Sequence, residues 1–192
     1  MKDSKKYYEN TKNAEPNKLV KKFIEMNVEP TRAVELGCGA GRDTAFLIKN
    51  GWNVTAIDKE DIESYILEKL DGNEKERFKF ERQSLEELKL ERNKLVVANF
   101  SLSFCNKKFF NKMWNAVSES ILPGGYFVGN IFGVNDQRAK FNDNMTFLDK
   151  VQVYKLFEKF DIVFFEEVER DFPTAMGNIK HWHLFFVIAV KR

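Results

Sequence analysis

The sequence predicts an α/β fold built on a mainly parallel sheet. Short apolar runs alternate with longer amphipathic segments along the 192 residues, and this alternation is typical of strands separated by crossover helices. A glycine-rich turn follows the first apolar run, as it does at strand-to-helix junctions in such sheets. The last two apolar runs have no helix between them, so we expect that pair of strands to be antiparallel.

Five short apolar runs mark the parallel strands, at residues 33–36, 53–57, 78–81, 95–98 and 126–131. Amphipathic segments between them predict helices over about 42–50, 62–70 and 107–120, with a short turn near Glu86 and an earlier helix over about 16–26. Because parallel neighbours need crossover connections, this order predicts one parallel sheet.

The chain ends in two strand-like runs, residues 161–168 and 183–190. The connection between them, from Arg170 to Lys180, is longer than a tight hairpin loop, and long loops often carry functional residues. The same reasoning applies to the connection from Gly133 to Asn144. Both connections are candidate functional segments.

Length and composition predict a single domain over residues 1–192, in which 1–28 form an N-terminal helical cap. The 31 basic and 29 acidic residues nearly cancel, so we expect neither nucleic acid nor a membrane as partner. With Cys38 and Cys105 as its two cysteines and no secretory or membrane segment, the chain is expected to be cytoplasmic, as a monomer or homodimer.

The glycine loop predicts the type of ligand. Gly37, Gly39 and Gly41 follow a strand and open a helix, which lets the backbone approach a nucleotide-like molecule. A dinucleotide fingerprint would place its third glycine where Arg42 stands, and the Glu35 carboxylate would repel a pyrophosphate. S-adenosylmethionine carries an ammonium and a sulfonium and no phosphate, so it is predicted over the alternative, a nicotinamide dinucleotide in an oxidoreductase.

Two further residues near this loop have alternative interpretations. Asp58 ends the second strand, where a carboxylate can accept hydrogen bonds from both ribose hydroxyls. The alternative for Asp58 and Glu35 is that both are solvated acids at strand ends. Cys38 is interpreted as a small residue that fills the turn.

The stretch from Glu35 to Asp58 resembles the class I S-adenosylmethionine-dependent methyltransferases, and most of all their small-molecule branch, which includes tellurite-resistance and thiopurine-type enzymes. The resemblance implies a Rossmann-like three-layer sandwich with a seven-stranded sheet of order 3-2-1-4-5-7-6 and strand 7 antiparallel. It also implies in-line methyl transfer from S-adenosylmethionine to a small-molecule acceptor.

The same resemblance assigns the binding residues. It places the loop glycines at the methionine end of the cofactor, Asp58 at the ribose and Lys59 beside the adenine. The residues it implies for cofactor binding are Glu35, Gly37, Cys38, Gly39, Gly41, Asp58, Lys59, Gln83, Ser84, Leu85, Asn99, Phe100 and Ser101. Ser84 departs from the family pattern, because many relatives carry an acid there that accepts from the adenine amino group.

The segment after strand four argues against amino-methylation of DNA or glutamine and against cytosine-C5 methylation. It contains Asn99-Phe100-Ser101-Leu102, whereas enzymes that methylate amino groups of DNA or glutamine resemble one another in an Asn/Asp-Pro-Pro-Tyr/Phe stretch. Cys105 also lacks the preceding proline that cytosine-C5 methylation uses. We therefore expect a small-molecule acceptor, with RNA or protein methylation and a non-catalytic cofactor-binding protein as alternatives.

Methyl transfer from a sulfonium needs positioning more than acid or base groups, so catalytic residues are assigned only as candidates. His181 and His183 lie on one face of the last strand, with Trp182 opposite. They are candidate general bases, together with Asp171, and the alternative is a structural pair at a strand end. No ligand cluster accompanies them, so no metal is expected.

Three residues near the predicted cofactor keep two interpretations each. Tyr7 and Tyr8 belong either to a lid over the cofactor or to an ordinary helix that packs on the sheet. Arg42 either binds an anionic substrate at the start of its helix or lies at the surface.

Overall fold

The structure is a computed structural model that describes residues 2–192, with side chains from residue 6 onward. Its strands are β1 (Arg32–Leu36), β2 (Asn53–Asp58), β3 (Phe78–Arg82), β4 (Asn93–Ala98), β5 (Ile121–Phe132), β6 (Phe160–Pro173) and β7 (Ile179–Lys191). They form one seven-stranded sheet of order β3-β2-β1-β4-β5-β7-β6. β7 runs antiparallel to both neighbours, and the other pairs are parallel. The predicted strand order is confirmed.

Helices cover both faces of this sheet. They are α1 (Lys2–Thr11), α2 (Lys18–Ile24), α3 (Arg42–Lys49), α4 (Glu63–Leu67), α5 (Gly72–Lys75), α6 (Phe110–Ser120) and α7 (Lys150–Leu156). α2, α3 and α4 contribute buried apolar side chains to the core on one face, and α6 and α7 do so on the other. The resulting three layers confirm the predicted fold class. Within residues 2–192, no helix has the length and apolar character needed to cross a membrane.

Aromatic packing dominates the core beneath α6 and α7. The ring of Trp114 on α6 meets Phe127 of β5 edge-on at 5.3 Å between centroids and Phe157 after α7 at 5.0 Å. The indole N–H donates to the backbone oxygen of Leu156 at 3.0 Å, so its one polar atom is satisfied. Large rings in such edge-to-face pairs bury much apolar area and fix the two helices against the sheet.

Helix α7 was not among the predicted helices. It begins at a capping box, in which the Asp149 carboxylate accepts from the backbone N–H of Gln152 at 2.8 Å and the Gln152 side chain accepts from the N–H of Asp149 at 2.9 Å. Two reciprocal bonds satisfy backbone donors that the first helical turn leaves free. A helix of seven residues gives too short a periodic pattern to be recognised against the surrounding loop.

The predicted connection from Arg170 to Lys180 is wrong, because most of it is strand. β6 and β7 stay paired up to Pro173 and Ile179, and residues 174–178 form the turn. Trp182 stacks on Phe172 at 5.0 Å and donates its indole N–H to the Phe172 oxygen at 3.0 Å. This cross-strand aromatic pair extends the hairpin beyond the apolar runs.

One face of the hairpin carries histidines opposite carboxylates. His181 Nδ1 lies 2.6 Å from Asp171 Oδ1, and its Nε2 lies 3.4 Å from Glu169 Oε1. His183 is buried, with Nδ1 3.2 Å from the Asn135 N–H and Nε2 3.1 Å from Glu167 Oε1. The two imidazoles therefore share one face of β7, as predicted, and their partners lie in β6 and in the connection after β5.

In the described part of the chain, the connection between β3 and β4 leaves one region of the sheet open. The connection from β3 to β4 contains only a 3-10 turn at Leu85–Glu87, and the adjacent face of β1, β2 and β3 forms an open groove of about 1290 Å³. Lys79 and Glu81 lie in this groove and pair with each other at 2.5 Å. A groove lined by paired, exposed charges is a solvated surface.

We predict a pH-dependent contribution of His181 to stability. Asp171 and then Glu169 raise its pKa above 6.5, so the pairs stabilise the fold below about pH 6.5 and are lost as the pH rises through the raised pKa. His181→Gln should therefore lower the free energy of unfolding more at about pH 5.5 than at about pH 9. Urea unfolding at both pH values measures this difference.

Asp171→Asn provides the matching variant, because it removes the nearer carboxylate and keeps the imidazole. It should reduce the same pH dependence. Equal destabilisation by His181→Gln at both pH values would contradict the assignment of this pair.

Candidate functional site

The glycine loop between β1 and α3 lies at the carboxyl edge of the sheet. The backbone N–H groups of Gly37 and Cys38 donate to the Ile57 oxygen at 2.8 and 3.1 Å, which fixes the loop to the end of β2. Gly37 has a φ of +69°, and a Cβ there would lie 2.5 Å from the Ser101 Cβ. Glycine is therefore required at 37 for the segment after β4 to pack against the loop.

Gly41 has a second steric role. Its φ is +73°, and a Cβ there would lie 2.3 Å from Ile66 Cγ1 on α4. The residue also precedes α3, whose first turn it opens. Gly41 thus allows α4 to approach the start of α3, a packing reason that the sequence analysis missed.

The Asp58 carboxylate is fixed beside the loop. Its Oδ2 accepts from the Gly39 N–H at 3.0 Å and its Oδ1 accepts from the Glu60 N–H at 3.1 Å. The side chain is buried at the end of β2. An ionised carboxylate has about four acceptor positions, so each oxygen can still accept a bond from a ligand hydroxyl.

Glu35 is buried at the end of β1. Its carboxyl accepts from the Thr44 hydroxyl on α3. Burial raises the pKa of Glu35 well above its usual value, and the nearby Asp43 raises it further. A cation in the cleft would favour the ionised form of Glu35, because it offsets both effects. The charge on Glu35 that the sequence argument assumed therefore depends on what binds beside it.

A polar network that the sequence analysis missed joins the ends of several strands. Asp43, buried in the first turn of α3, accepts from the Asn17 N–H at 2.7 Å and from Asn99 Nδ2 at 3.0 Å. Asn99 Oδ1 lies 3.5 Å from Asn130 Nδ2, and Asn130 Oδ1 accepts from the Phe100 N–H at 3.0 Å. The available signal was Asn130 itself, a polar residue inside the apolar run of β5.

The segment after β4 is held against the loop by this network. Phe100 has a φ of +52°, which is uncommon for a residue with a side chain and is sustained here by the bond to Asn130. The next residue, Ser101, is buried, and its hydroxyl has no hydrogen-bond partner within residues 2–192. A buried hydroxyl without a partner is a candidate donor to a ligand.

Helix α1 lies over the glycine loop. A Cβ on Gly39 would lie 3.9 Å from a ring atom of Tyr7 and 3.9 Å from one of Tyr8. The helix is fastened by a bond from the Tyr65 hydroxyl to Glu9 at 2.9 Å and by one from Lys69 to the Lys12 oxygen. Beneath it remains a cavity of about 40 Å³. The residues that line it are Tyr7, Thr11, Glu35, Gly37, Cys38, Gly39, Ala40, Arg42, Asp43, Asn99 and Phe100.

Cys38 and Arg42 line the cavity in different ways. Cys38 is buried, and burial raises the pKa of its thiol well above the usual value, so it is a neutral side chain that fills the turn. Arg42 is half-buried, with Nε 3.7 Å from Asp43 Oδ1. The arginine is therefore already paired with a carboxylate at the cavity wall.

The predicted adenine-side residues lie beyond Asp58. The backbone N–H of Gln83 donates to the backbone oxygen of Asp58 at 3.1 Å. The Gln83 side chain bonds to Glu81 and to the backbone of Lys89. Ser84 precedes the 3-10 turn, and Leu85 packs partly buried against the core. The Lys59 side chain is exposed. Contact of these residues with a cofactor stays a prediction.

The candidate catalytic residues are not brought to the glycine loop. Within the β6–β7 hairpin, His181 bonds to Asp171 and His183 bonds to Glu167. The residue of this segment that faces the site is Trp182, whose ring lies 5.8 Å from that of Phe100. In the part of the chain that the structure describes, no group of His, Cys, Asp and Glu is arranged to hold a metal ion. A general base among these three residues stays a prediction.

Comparison with solved structures finds proteins of the same fold, among them methyltransferases. TehB from Haemophilus influenzae superposes with a TM-score of 0.75 at 16% identity, over 90% of this chain and 61% of that chain, so this chain spans about three fifths of its length. The 1,6-didemethyltoxoflavin-N1-methyltransferase of Burkholderia thailandensis, with S-adenosylhomocysteine bound, gives 0.69 at 19% identity, over 90% and 76%.

A third structure, the N-methyltransferase NodS of Bradyrhizobium japonicum in complex with S-adenosylhomocysteine, gives a TM-score of 0.67 at 14% identity, over 90% of this chain and 83% of that one. At these identities the superpositions show a shared fold. No curated protein sequence matches the chain significantly. The family model described as tellurite resistance protein TehB matches residues 2–175, and the chain therefore belongs to the TehB family.

Proposed function

We propose that the chain is an S-adenosylmethionine-dependent methyltransferase that acts on a small-molecule acceptor. The observation that carries this proposal is the Asp58 carboxylate, which is held beside Gly39 and whose oxygens can each accept a further hydrogen bond from a ligand. The two solved methyltransferases support it, since both were crystallised with S-adenosylhomocysteine. Membership of the TehB family supports it as well.

The residues of the site fit such a donor. When bound, S-adenosylmethionine supplies a methyl group activated by a sulfonium. Asp58 would accept from the ribose hydroxyls, and Glu35 would lie near the cationic end of the ligand. The Ser101 hydroxyl, which is buried beside Gly37 without a partner, would gain one. The Asp58 and Glu35 carboxyls are fixed by protein hydrogen bonds before a ligand arrives, which favours tight and specific binding.

Positioning and exclusion of water are the contributions of the remaining residues. The acceptor attacks with a lone pair, a bond forms to the methyl carbon, and the bond from that carbon to sulfur breaks with its electron pair left on sulfur. Tyr7 and Phe100 line the cleft and would shield this displacement from water. No base is required when the acceptor is already anionic or carries a free lone pair.

Helix α1 must move for a ligand to enter. The cavity under it measures about 40 Å³, whereas small-molecule sites typically hold roughly 300 Å³ or more. The bonds that fasten α1 to Tyr65 and Lys69 involve exposed or half-buried side chains, which contribute little to stability. Opening would also separate the ring of Tyr8 from that of Tyr65, which lies 6.0 Å away, so movement of α1 as a lid has a packing cost as well.

A covered cleft favours a small acceptor over a macromolecule. The net charge of +2 supplies no strong field for RNA. RNA or protein methylation remains the second enzymatic candidate, and cofactor binding without catalysis is the non-enzymatic one. Incubation with methyl-labelled S-adenosylmethionine and separate small-molecule, RNA and protein fractions distinguishes the three. Label in small molecules supports the proposal, whereas label confined to a macromolecule or to no fraction overturns it.

Asp58→Asn should weaken S-adenosylhomocysteine binding by about tenfold or more, because hydrogen bonds to a charged acceptor contribute roughly 1.5–3 kcal/mol. The amide keeps the shape of the carboxyl and an oxygen for the Gly39 N–H. Titration calorimetry measures the affinity. Asp61→Asn, an exposed substitution nearby, should leave it unchanged. Equal affinity in the two variants would remove Asp58 from the site.

Ser101→Ala should separate binding from folding. Removal of a buried hydroxyl that lacks a partner should leave the free energy of unfolding unchanged or slightly higher, and should weaken S-adenosylhomocysteine binding. Ser103→Ala should behave in the opposite way, because the Ser103 hydroxyl accepts from the Phe132 N–H at 2.9 Å. Its loss should cost about 1–3 kcal/mol of stability without changing affinity. A Ser101 variant that is destabilised and binds normally would refute the role of Ser101.

A further inference from the structure

A cationic side chain outside the predicted cofactor site packs against three aromatic rings. Arg138 belongs to the 3-10 turn Gln137–Lys140 between β5 and α7. Its guanidinium carbon lies 5.5 Å from the ring centre of Phe104, 5.6 Å from that of Phe132 and 5.5 Å from that of Trp182. These contacts hold the guanidinium among three rings, which shield it in part from water.

The neighbouring charges leave Arg138 unneutralised. Asp136 is fully buried and forms a buried ion pair with Lys180, whose ammonium lies 3.7 Å from the centre of the Trp182 ring. Asp136 also accepts from the backbone N–H of Arg138 at 3.0 Å, not from its guanidinium. The Asp136 carboxylate is thus paired with Lys180 and not with Arg138. Among the described residues, the Arg138 guanidinium has no ion pair and no hydrogen bond.

This arrangement adjoins the cleft beside Phe100. Phe100 lines the cavity under α1, and its ring lies 5.8 Å from Trp182 and 6.3 Å from Phe132, two of the rings that Arg138 covers. Burial is the main cause of the raised pKa of Tyr7, which lines the same cavity; the charge of Arg138 acts on that phenol in the opposite direction. Arg138 therefore lies at the side of the cleft formed by β5, β7 and their connections.

The rings near Arg138 also leave apolar surface for a ligand. Phe104 is 51% exposed, and Phe100 is half-buried. An anion that pairs with Arg138 would lie next to these ring faces, where a flat apolar group gains contact area. A small inorganic anion would leave that surface uncovered. The surroundings of Arg138 thus match a ligand with one anionic group and one planar ring.

We propose that Arg138 binds the carboxylate of the methyl acceptor, and that the acceptor is a small aromatic carboxylic acid whose ring packs on Phe100 and Phe104. The inference rests on the proposed methyltransferase function and specifies its acceptor. A planar guanidinium presents parallel N–H donors that match both oxygens of a carboxylate. Desolvation by the rings strengthens this pairing, because water competes less for the two charges.

Three matched probes test the proposal in protein saturated with S-adenosylhomocysteine. Benzoate carries the charge and the ring, benzamide keeps the ring without the charge, and cyclohexanecarboxylate keeps the charge without the planar ring. Affinities measured by calorimetry or ligand-observed NMR should be at least about tenfold higher for benzoate than for benzamide, the difference expected for one charge-assisted pair. Cyclohexanecarboxylate should bind more weakly than benzoate.

Two variants locate the effect. Arg138→Gln should abolish the preference for benzoate over benzamide and leave S-adenosylhomocysteine affinity unchanged, whereas Arg138→Lys should retain part of the preference. Arg170→Gln is the matched control, since Arg170 also lies over an aromatic ring, that of Phe172 at 5.4 Å, but on an exposed part of the hairpin. It should bind all three probes as the unmodified protein does.

The outcomes separate this inference from the function on which it rests. If S-adenosylhomocysteine binds but benzoate is not preferred over benzamide, or the preference survives Arg138→Gln, the assignment of Arg138 is overturned and the methyltransferase proposal stands. Equal affinity for benzoate and cyclohexanecarboxylate overturns the planar acceptor. Failure of S-adenosylhomocysteine to bind overturns the proposed function itself.

Discussion

The buried carboxylate of Asp43 is the interaction on which the site depends. A carboxylate at 2% exposure is costly unless its oxygens are bonded, and burial accordingly raises the pKa of Asp43. Its bonds reach the start of α2 through Asn17 and the segment after β4 through Asn99. Through Asn99 and Asn130 the network then fixes the backbone of Phe100. The network thus links the start of α3, the segment after β4 and strand β5 in one surface, because each polar group in it is bonded to the next.

The two sides of the cleft carry different ionisable groups. Glu35, Asp43 and Asp58 lie at the ends of β1 and β2 and the start of α3, and because burial raises the pKa of Glu35 and of Asp43, a cationic ligand on that side would favour their ionised forms. Arg138 and Lys180 lie on the opposite side, beside Trp182 and with one carboxylate between them. Opposite fields across a covered cleft would orient two different ligands without any residue contacting both.

The sequence predicted the glycine loop and the separate strands well because their signals are local or periodic, whereas the order of the strands was implied by the family resemblance. Gly37, its φ of +69° and the following helix belong to one short stretch, and apolar runs identify strands one at a time. The hairpin was predicted too short, since the pairing that extends it joins Phe172 to Trp182 across the turn. Helix α7 was missed because its seven residues are too few to give a periodic pattern, and the capping box was the remaining signal.

The sequence by itself determined the fold class, the place of the loop at the carboxyl edge and the alternation that sets His181 and His183 on one face of β7. Only the tertiary structure decided that this face bonds to the carboxylates of β6, and that Trp182 faces Phe100 instead. The same holds for Arg138. Its guanidinium has no ion pair among the described residues because Asp136 pairs with Lys180, 44 positions away in the sequence. Hydrophobic periodicity and composition describe residues that are neighbours along the chain. A site is made of residues that are neighbours across the sheet, and the register of the strands decides which residues these are.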